Sequence, residues 1–298
     1  MEPTGGKPLT LAILGTGAMG RYWTYRLRAV HPWIVGEVPP PYHLKDHGVQ
    51  DVLAPRHFSW DETPPRAPDV VVLATKWRRM GCAIPWIRQH ASGSFVVSLM
   101  NGMGQEEALA GIPSLVLAAG ITTAAVTRFD QTTPAIEIRS PGETLLPETR
   151  DPREQVLREW AHTHQWEWQW RSAEEMRSLR WQKLLQNSVI NPLTALADCP
   201  NGDLPRHPLW SLSAPLLAEG ESVAHGLGIA IPDDMAMRVH ALTEATAHNI
   251  SSMLQDVREG NATEIDAING YIARKGQTLG IPTPAHQALW QLISQLRA

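Results

Sequence analysis

The sequence predicts two successive folds: an α/β domain built on a parallel sheet, then an all-α domain. Three observations predict them. In the first half, apolar runs of strand length alternate with helical patterns, as expected of strands buried on both faces. A glycine-rich turn, Gly15-Thr16-Gly17-Ala18-Met19-Gly20, follows the first run and opens a helix. From Ser172 onward helical periodicity is found without a convincing strand pattern.

The elements follow in order. Leu11 to Leu14 is a short buried strand that ends at Gly15. Tyr22, Trp23, Leu27 and Val30 then recur at helical spacing. Trp33 to Val38 is a second strand, Asp69 to Thr75 a third, and Phe95 to Leu99 and Leu115 to Ala119 two more. The proline-rich stretch from Pro39 to Pro68 reads mostly as loops. Residues 135–170 read as extended structure around one helix. Trp166, Trp168 and Trp170 alternate with Glu167 and Gln169, which is the period of a strand packing one face. Ser172 followed three residues later by Glu175 is a capping box that starts a helix. Ile265, Ile268, Ile272 and Leu279 mark a late helix, with Gly280 just past its end. These elements give a Rossmann-type parallel-sheet domain over residues 1–172 and an all-α domain over 173–298.

Bulk properties exclude several classes. The 298 residues are 43% hydrophobic and 19% charged, an ordinary globular balance. A net charge of −4, without long runs of one sign, gives no nucleic-acid footprint. No stretch approaches the roughly 18 apolar residues of a membrane span, and the first ten residues do not form a signal peptide. Two distant cysteines, Cys82 and Cys199, offer neither a disulfide framework nor metal-ligand spacing. A cytoplasmic protein without a metal, acting as a monomer or homodimer on a small molecule, is the expectation.

The G-x-G-x-x-G turn is placed to hold a dinucleotide. Its glycines permit the tight turn and bring backbone N–H groups to a pyrophosphate at the helix N-terminus. Glu37, at the end of the second strand, stands where a carboxylate bonds the adenosine ribose 2′-hydroxyl. Taken alone it selects NAD(H). Two like charges about 4 Å apart at an effective dielectric of about 20 repel by about 4 kcal/mol, which disfavours a 2′-phosphate. Lys45, Lys76, Arg78 or Arg79 could offset that repulsion by reaching the phosphate.

The second half carries a polar stripe. Lys183, Asn187 and Asn191 stand at i, i+4 and i+8 and share one helical face, which Pro192 keeps from running much further. One amine and two amides suit a polar substrate. A second stripe is Asn249, Ser252 and Asp256, with Glu264 near the start of the next helix and Asn201-Gly202 in a turn.

The sequence resembles the ketopantoate reductase family along nearly its full length. The matching segments are GTGAMG at 15–20, ATK ending at Lys76, NGMG at 101–104, GITTA at 120–124, WQKLLQNSVINPLTAL at 181–196, CPNG at 199–202, NISSMLQDV at 249–257 and TEIDAINGYI at 263–272. The resemblance implies reduction of ketopantoate to pantoate by NAD(P)H, a step toward pantothenate and coenzyme A. It implies that Lys183 is the general acid, with Glu264 beside it and the cofactor. Asn101, Asn187, Asn191, Asn201, Asn249 and Ser252 are then substrate positions. Gly15 to Gly20, Lys76, Asn101 and Val126 are then cofactor positions, and Asn101 stands where nicotinamide and substrate meet. The family usually has a basic residue after the second strand to hold the 2′-phosphate, whereas the similar VPPPY segment here is preceded by Glu37. Family usage therefore implies NADP(H), whereas Glu37 favours NAD(H). Two further functions stay open: reduction of another branched 2-keto acid, and a non-catalytic NAD(P)-binding regulator. A regulator has no use for a proton donor such as Lys183.

Overall fold

The computed structural model describes residues 9–130 and 135–296. The chain forms two compact units. The first comprises Met1–Met100 and Gln105–Met176; the second comprises Asn101–Gly104 and Arg177–Ala298.

The first unit contains thirteen strands among the described residues: β1 Leu11–Leu14, β2 Trp33–Val35, β3 Tyr42–Asp46, β4 Val49–Leu53, β5 His57–Phe58, β6 Val70–Leu73, β7 Phe95–Ser98, β8 Val116–Ala119, β9 Ile121–Thr122, β10 Ala125–Asp130, β11 Ala135–Ser140, β12 Thr144–Pro147 and β13 Trp168–Arg171. Its helices are α1 Ala18–Arg26, α2 Met80–His90, α3 Gln105–Leu109 and α4 Pro152–Thr163.

Six strands form one parallel sheet in the order β5-β2-β1-β6-β7-β8. This is the predicted Rossmann-type sheet. The pleat sends Leu11, Ile13, Val70 and Val72 into one core, and Ala12, Leu14, Val71 and Leu73 into the other. Burial on both faces explains why these strands read as continuous apolar runs. Helix α1 touches β1 and β2 of this sheet and also β10 and β11 of a second, in the order β10-β11-β3-β4. A three-stranded sheet, β13-β12-β9, completes the unit. Trp166 and Trp168 are buried in the core that contains Trp23, and Trp170 packs against it. Their alternation is therefore a packing face.

The stretch from Pro39 to Pro68 departs from the expectation of loops. It holds β3, β4 and β5, with β3 and β4 joined as an antiparallel hairpin. Only Tyr42 and Leu44 of β3 are buried, and β4 is an edge strand whose residues are exposed or half-buried. A hairpin with so little apolar alternation leaves a weak pattern. The turn signal is His47-Gly48, both at positive φ (46° and 85°), as a type I′ turn requires.

The second unit is helical among its described residues: most of α5 (Ala173–Ala197), then α6 Ser213–Gly226, α7 Met235–Ala245, α8 Ser252–Arg258, α9 Asn269–Leu279 and α10 Pro284–Gln295. Its core joins Trp181, Leu184, Val189 and Leu193 of α5 to side chains such as Leu216, Val239, Leu254, Ile272 and Leu289. The capping box forms as predicted. Glu175 N donates to Ser172 Oγ at 3.2 Å, and Ser172 N donates to Glu175 Oε2 at 3.0 Å.

Three local expectations change. Pro192 lies inside α5, which continues to Ala197. The ring removes one helical N–H, which orphans the carbonyl of Ser188; that carbonyl accepts instead from Asn269 Nδ2 at 3.0 Å. The late helix begins at Asn269, after a separate 3₁₀ turn at Ile265–Ala267, although Gly280 closes it at φ 69° as expected. Finally, Asn249 precedes α8, which is capped by Ser251, so Asn249, Ser252 and Asp256 are not one helical face.

Candidate functional site

In the first unit, the turn after β1 is shaped by glycines. A Cβ on Gly20 would stand 1.6 Å from the Gly15 carbonyl oxygen, and one on Gly15 would stand 2.8 Å from that of Ala74. Backbone therefore packs on backbone at both positions. Gly17 differs: a Cβ there would meet nothing within 4 Å. It is the N-cap of α1, offers no side-chain cap, and no acidic residue occupies the first helical turn. Uncapped N–H groups beside open space are what an anion requires. These features fit a dinucleotide pyrophosphate, with Thr16, Ala18 and Met19 completing the turn.

The turn after β2 rests on this loop. Val38 N donates to Thr16 Oγ1 at 3.1 Å. Gly36 packs so tightly that a Cβ would lie 2.7 Å from Thr16 Cγ2. His57 Nε2 donates to the Gly36 carbonyl at 2.9 Å, since a carbonyl only accepts. Glu37, two residues beyond the end of β2, is exposed and pairs with Arg79, Nη2 to Oε2 2.6 Å. Arg79 follows Lys76 in a short 3₁₀ turn and donates its N–H to the Lys76 carbonyl at 2.8 Å. Lys45 lies elsewhere in its interactions, 3.2 Å from Glu137. Val126 is half-buried on β10, opposite Ile138.

In the second unit, α5 carries Lys183, Asn187 and Asn191 on one run of regular helix. Asn191 is buried; Lys183 and Asn187 are half-buried. Desolvation lowers the Lys183 pKa from its ordinary value to about 8, against the opposing effect of the Glu264 carboxylate. Glu264 is buried and precedes the Ile265–Ala267 turn. The short segment Asn101–Gly104 meets that same turn. Met103 N donates to Ala267 O at 2.9 Å, and a Cβ on Gly102 would stand 2.7 Å from Ala267. Glu264 and Asn101 are thus carried by two backbone segments that pack on one another.

Asn201 is buried at the start of another 3₁₀ turn. Its Nδ2 donates to Thr246 Oγ1 at 2.9 Å, while Oδ1 has no partner among the described residues. A buried acceptor left open is the kind of group a polar ligand satisfies. Asn249 and Ser252 are both exposed, and Asn249 reaches Asn201 through its backbone carbonyl, at 3.0 Å from Asn201 N. The buried serine is Ser251, which caps α8 and meets Thr194 Oγ1 at 2.7 Å.

Residues 11–150 match the family described as ketopantoate reductase PanE/ApbA, and residues 175–297 match its C-terminal counterpart. The chain belongs to the ketopantoate reductase family. It is 30% identical to a 2-dehydropantoate 2-reductase of Shigella flexneri, over 96% of this chain and 95% of that one. Its fold is that of a PanE/ApbA family ketopantoate reductase from Ralstonia eutropha JMP134, with TM-score 0.85 and 24% identity over 97% and 98% of the two chains. A D-mandelate dehydrogenase solved with NADH and anilino(oxo)acetate has the same fold, with TM-score 0.83 and 19% identity over 97% and 98%. The family is one of NAD(P)H-dependent oxidoreductases.

Two side chains near the candidate residues are not singled out by sequence spacing. Arg79 was one of four basic candidates, and spacing gave no means of choosing among them. Ser251, next to Ser252, is the buried member of the pair. A capping pattern, serine three residues before a helical N–H, was the signal that could have found it.

Proposed function

We propose that the chain is a 2-dehydropantoate 2-reductase that reduces ketopantoate to pantoate, with Lys183 as general acid. A desolvated lysine whose pKa lies at about 8, supported by the Glu264 charge, carries this reading. A proton donor works best when its pKa lies near the working pH. Glu264 stabilises the ammonium, so the amine holds its proton until the reaction needs it.

NAD(P)H, when bound at the glycine-rich turn, would supply a hydride from its nicotinamide C4–H bond to the C2 carbonyl carbon of the substrate. As the C–H bond forms, the carbonyl π pair moves to oxygen and negative charge grows there. The Lys183 ammonium stabilises that charge and transfers a proton from Nζ, leaving a neutral amine and the product hydroxyl. Such acid catalysis contributes about 10²–10⁴-fold. Asn187, Asn191 and Asn201 provide amides for the carboxylate and hydroxyl of the substrate, and Asn249 and Ser252 extend the polar surface. Asn101 contacts both substrate and cofactor. The cofactor is held at Gly15–Gly20, with Lys76, Val126 and Glu264 as further contacts. Residues 1–172 then serve as the dinucleotide-binding domain and 173–298 as the catalytic domain, with NADP(H) preferred.

A steady-state assay tests the reading. Ketopantoate should be turned over with higher kcat/KM than ketoisovalerate. Preference for ketoisovalerate would favour another branched 2-keto acid as substrate, and absence of turnover would favour a non-catalytic binding role.

A further inference from the structure

Glu37 replaces the basic residue expected after β2, yet its charge is not left alone. Its carboxylate lies 2.6 Å from Arg79, and both side chains are nearly half exposed, at 45% and 42%. An ion pair this open is worth about 0–1 kcal/mol and exchanges partners readily. The backbone under it is firmly held. The turn at 36–38 is fixed to Thr16 by the Val38 hydrogen bond, and to Tyr42 by a hydroxyl donating to the Val38 carbonyl at 2.7 Å.

Beneath Tyr42 lies a second cation. The Arg21 guanidinium stacks on the Tyr42 ring at 5.2 Å, and the residue is only 6% exposed. Its Nε has no hydrogen-bond partner, and no carboxylate pairs with it among the described residues. Burial lowers its pKa, with Arg128 adding to that effect. A buried cation without an acidic partner is costly by itself.

We propose that Arg79, rather than Glu37, reads the 2′ position of the adenosine ribose, so that the site prefers a 2′-phosphate although an acidic residue follows β2. The inference rests on the dinucleotide reading above and deepens it. A phosphate monoester carries about −1.5 to −2 charge at pH 7 and three acceptor oxygens, so it outcompetes one exposed carboxylate for a guanidinium. Glu37 then turns into water, at the small cost of an exposed pair. When the 2′ substituent is a hydroxyl, the pair stays intact and Glu37 can accept from it. The like-charge repulsion that Glu37 alone would impose is thereby avoided.

The test uses the whole protein and two probes that differ only by the 2′-phosphate: adenosine 2′,5′-bisphosphate and 5′-AMP, titrated by calorimetry. Wild type should bind the bisphosphate roughly 10- to 100-fold more tightly, the range of a charge-assisted hydrogen bond. Arg79→Met should remove most of that preference while 5′-AMP binds within a few-fold of wild type. Glu37→Gln should enlarge the preference. Equal affinities in wild type, or a preference that survives in Arg79→Met, would overturn the role of Arg79 while leaving the reductase reading intact. Failure of both probes to bind would overturn this inference and the dinucleotide reading together. Unchanged melting temperatures would establish that the variants are folded.

Discussion

Asn269 donates to the main-chain carbonyl of Ser188 at 3.0 Å, the carbonyl that Pro192 deprives of its helical partner. The helix therefore carries a proline in its middle without a buried orphan. The bond lies in the segment that presents Lys183, Asn187 and Asn191, so stability and site geometry share one contact. Asn269→Ala should lower unfolding free energy by about 2–4 kcal/mol, because a buried carbonyl loses its donor and a cavity opens. In a Pro192→Ala background the helix regains an N–H for Ser188. The same substitution should then cost about 1 kcal/mol less. Urea denaturation of the four proteins checks this, and strict additivity would refute the coupling.

The same asparagine leads to a buried histidine. Asn269 Nδ2 meets His286 Nδ1 at 3.1 Å, and His286 Nε2 meets the Leu216 carbonyl at 2.9 Å. Nε2 must donate to the carbonyl, so Nδ1 accepts and the ring is neutral. Burial lowers its pKa to about 4. The unfolded value is about 6.5, so between these values the unfolded chain binds the extra proton. The histidine's contribution is complete above pH about 6.5 and is lost as pH falls toward 4, amounting to about 3 kcal/mol. In His286→Gln the stability-versus-pH curve should be shallower across that window. An unchanged slope would show that other groups carry the acid sensitivity.

The parallel sheet was legible because strands such as Val70–Leu73 are buried on both faces and leave uninterrupted apolar runs. Lys183 and its two asparagines were legible because helical spacing puts them on one face. The β3–β4 hairpin was not: β4 is solvent-facing, so its residues carry little hydrophobic signal. The length of α5 was misread for a different reason. A proline forbids its own hydrogen bond, but tolerance depends on Asn269, 77 positions beyond it in sequence. Helical period likewise could not show that Asn249 falls before the N-cap of α8. The Glu37–Arg79 pair is a contact between residues 42 positions apart, beyond the reach of spacing.

Gly17 and Gly20 should respond oppositely to a methyl group. Gly20→Ala forces a Cβ against the Gly15 carbonyl at 1.6 Å, so the backbone must move and stability should fall by several kcal/mol. Gly17 has φ −74° and open space around it, so Gly17→Ala should leave unfolding free energy within about 0.5 kcal/mol of wild type. The methyl would stand where a pyrophosphate approaches the helix, and NADPH should bind at least about tenfold more weakly. Calorimetric melting with fluorescence titration separates the two outcomes. A Gly17→Ala protein that binds NADPH normally would remove the loop from the cofactor site.

Lys183 and Glu264 set the last expectation. If Lys183 gives up the proton, Lys183→Ala should lower kcat by about 10²–10⁴-fold while nucleotide affinity stays within a few-fold. The pH profile then identifies the charge state. The folded pKa is about 8, so the ammonium predominates below that value and is lost above it. Log kcat/KM should therefore be level below pH 8 and fall with a slope of about −1 above it. Glu264 acts in the opposite direction to desolvation and supports the protonated amine. Glu264→Gln removes that support, so the fall should begin at lower pH and activity at pH 8 should drop more than at pH 6. A purely structural role for Glu264 would reduce activity equally at both values. A profile that keeps its wild-type midpoint in the variant would therefore refute the electrostatic coupling, whatever the size of the rate loss.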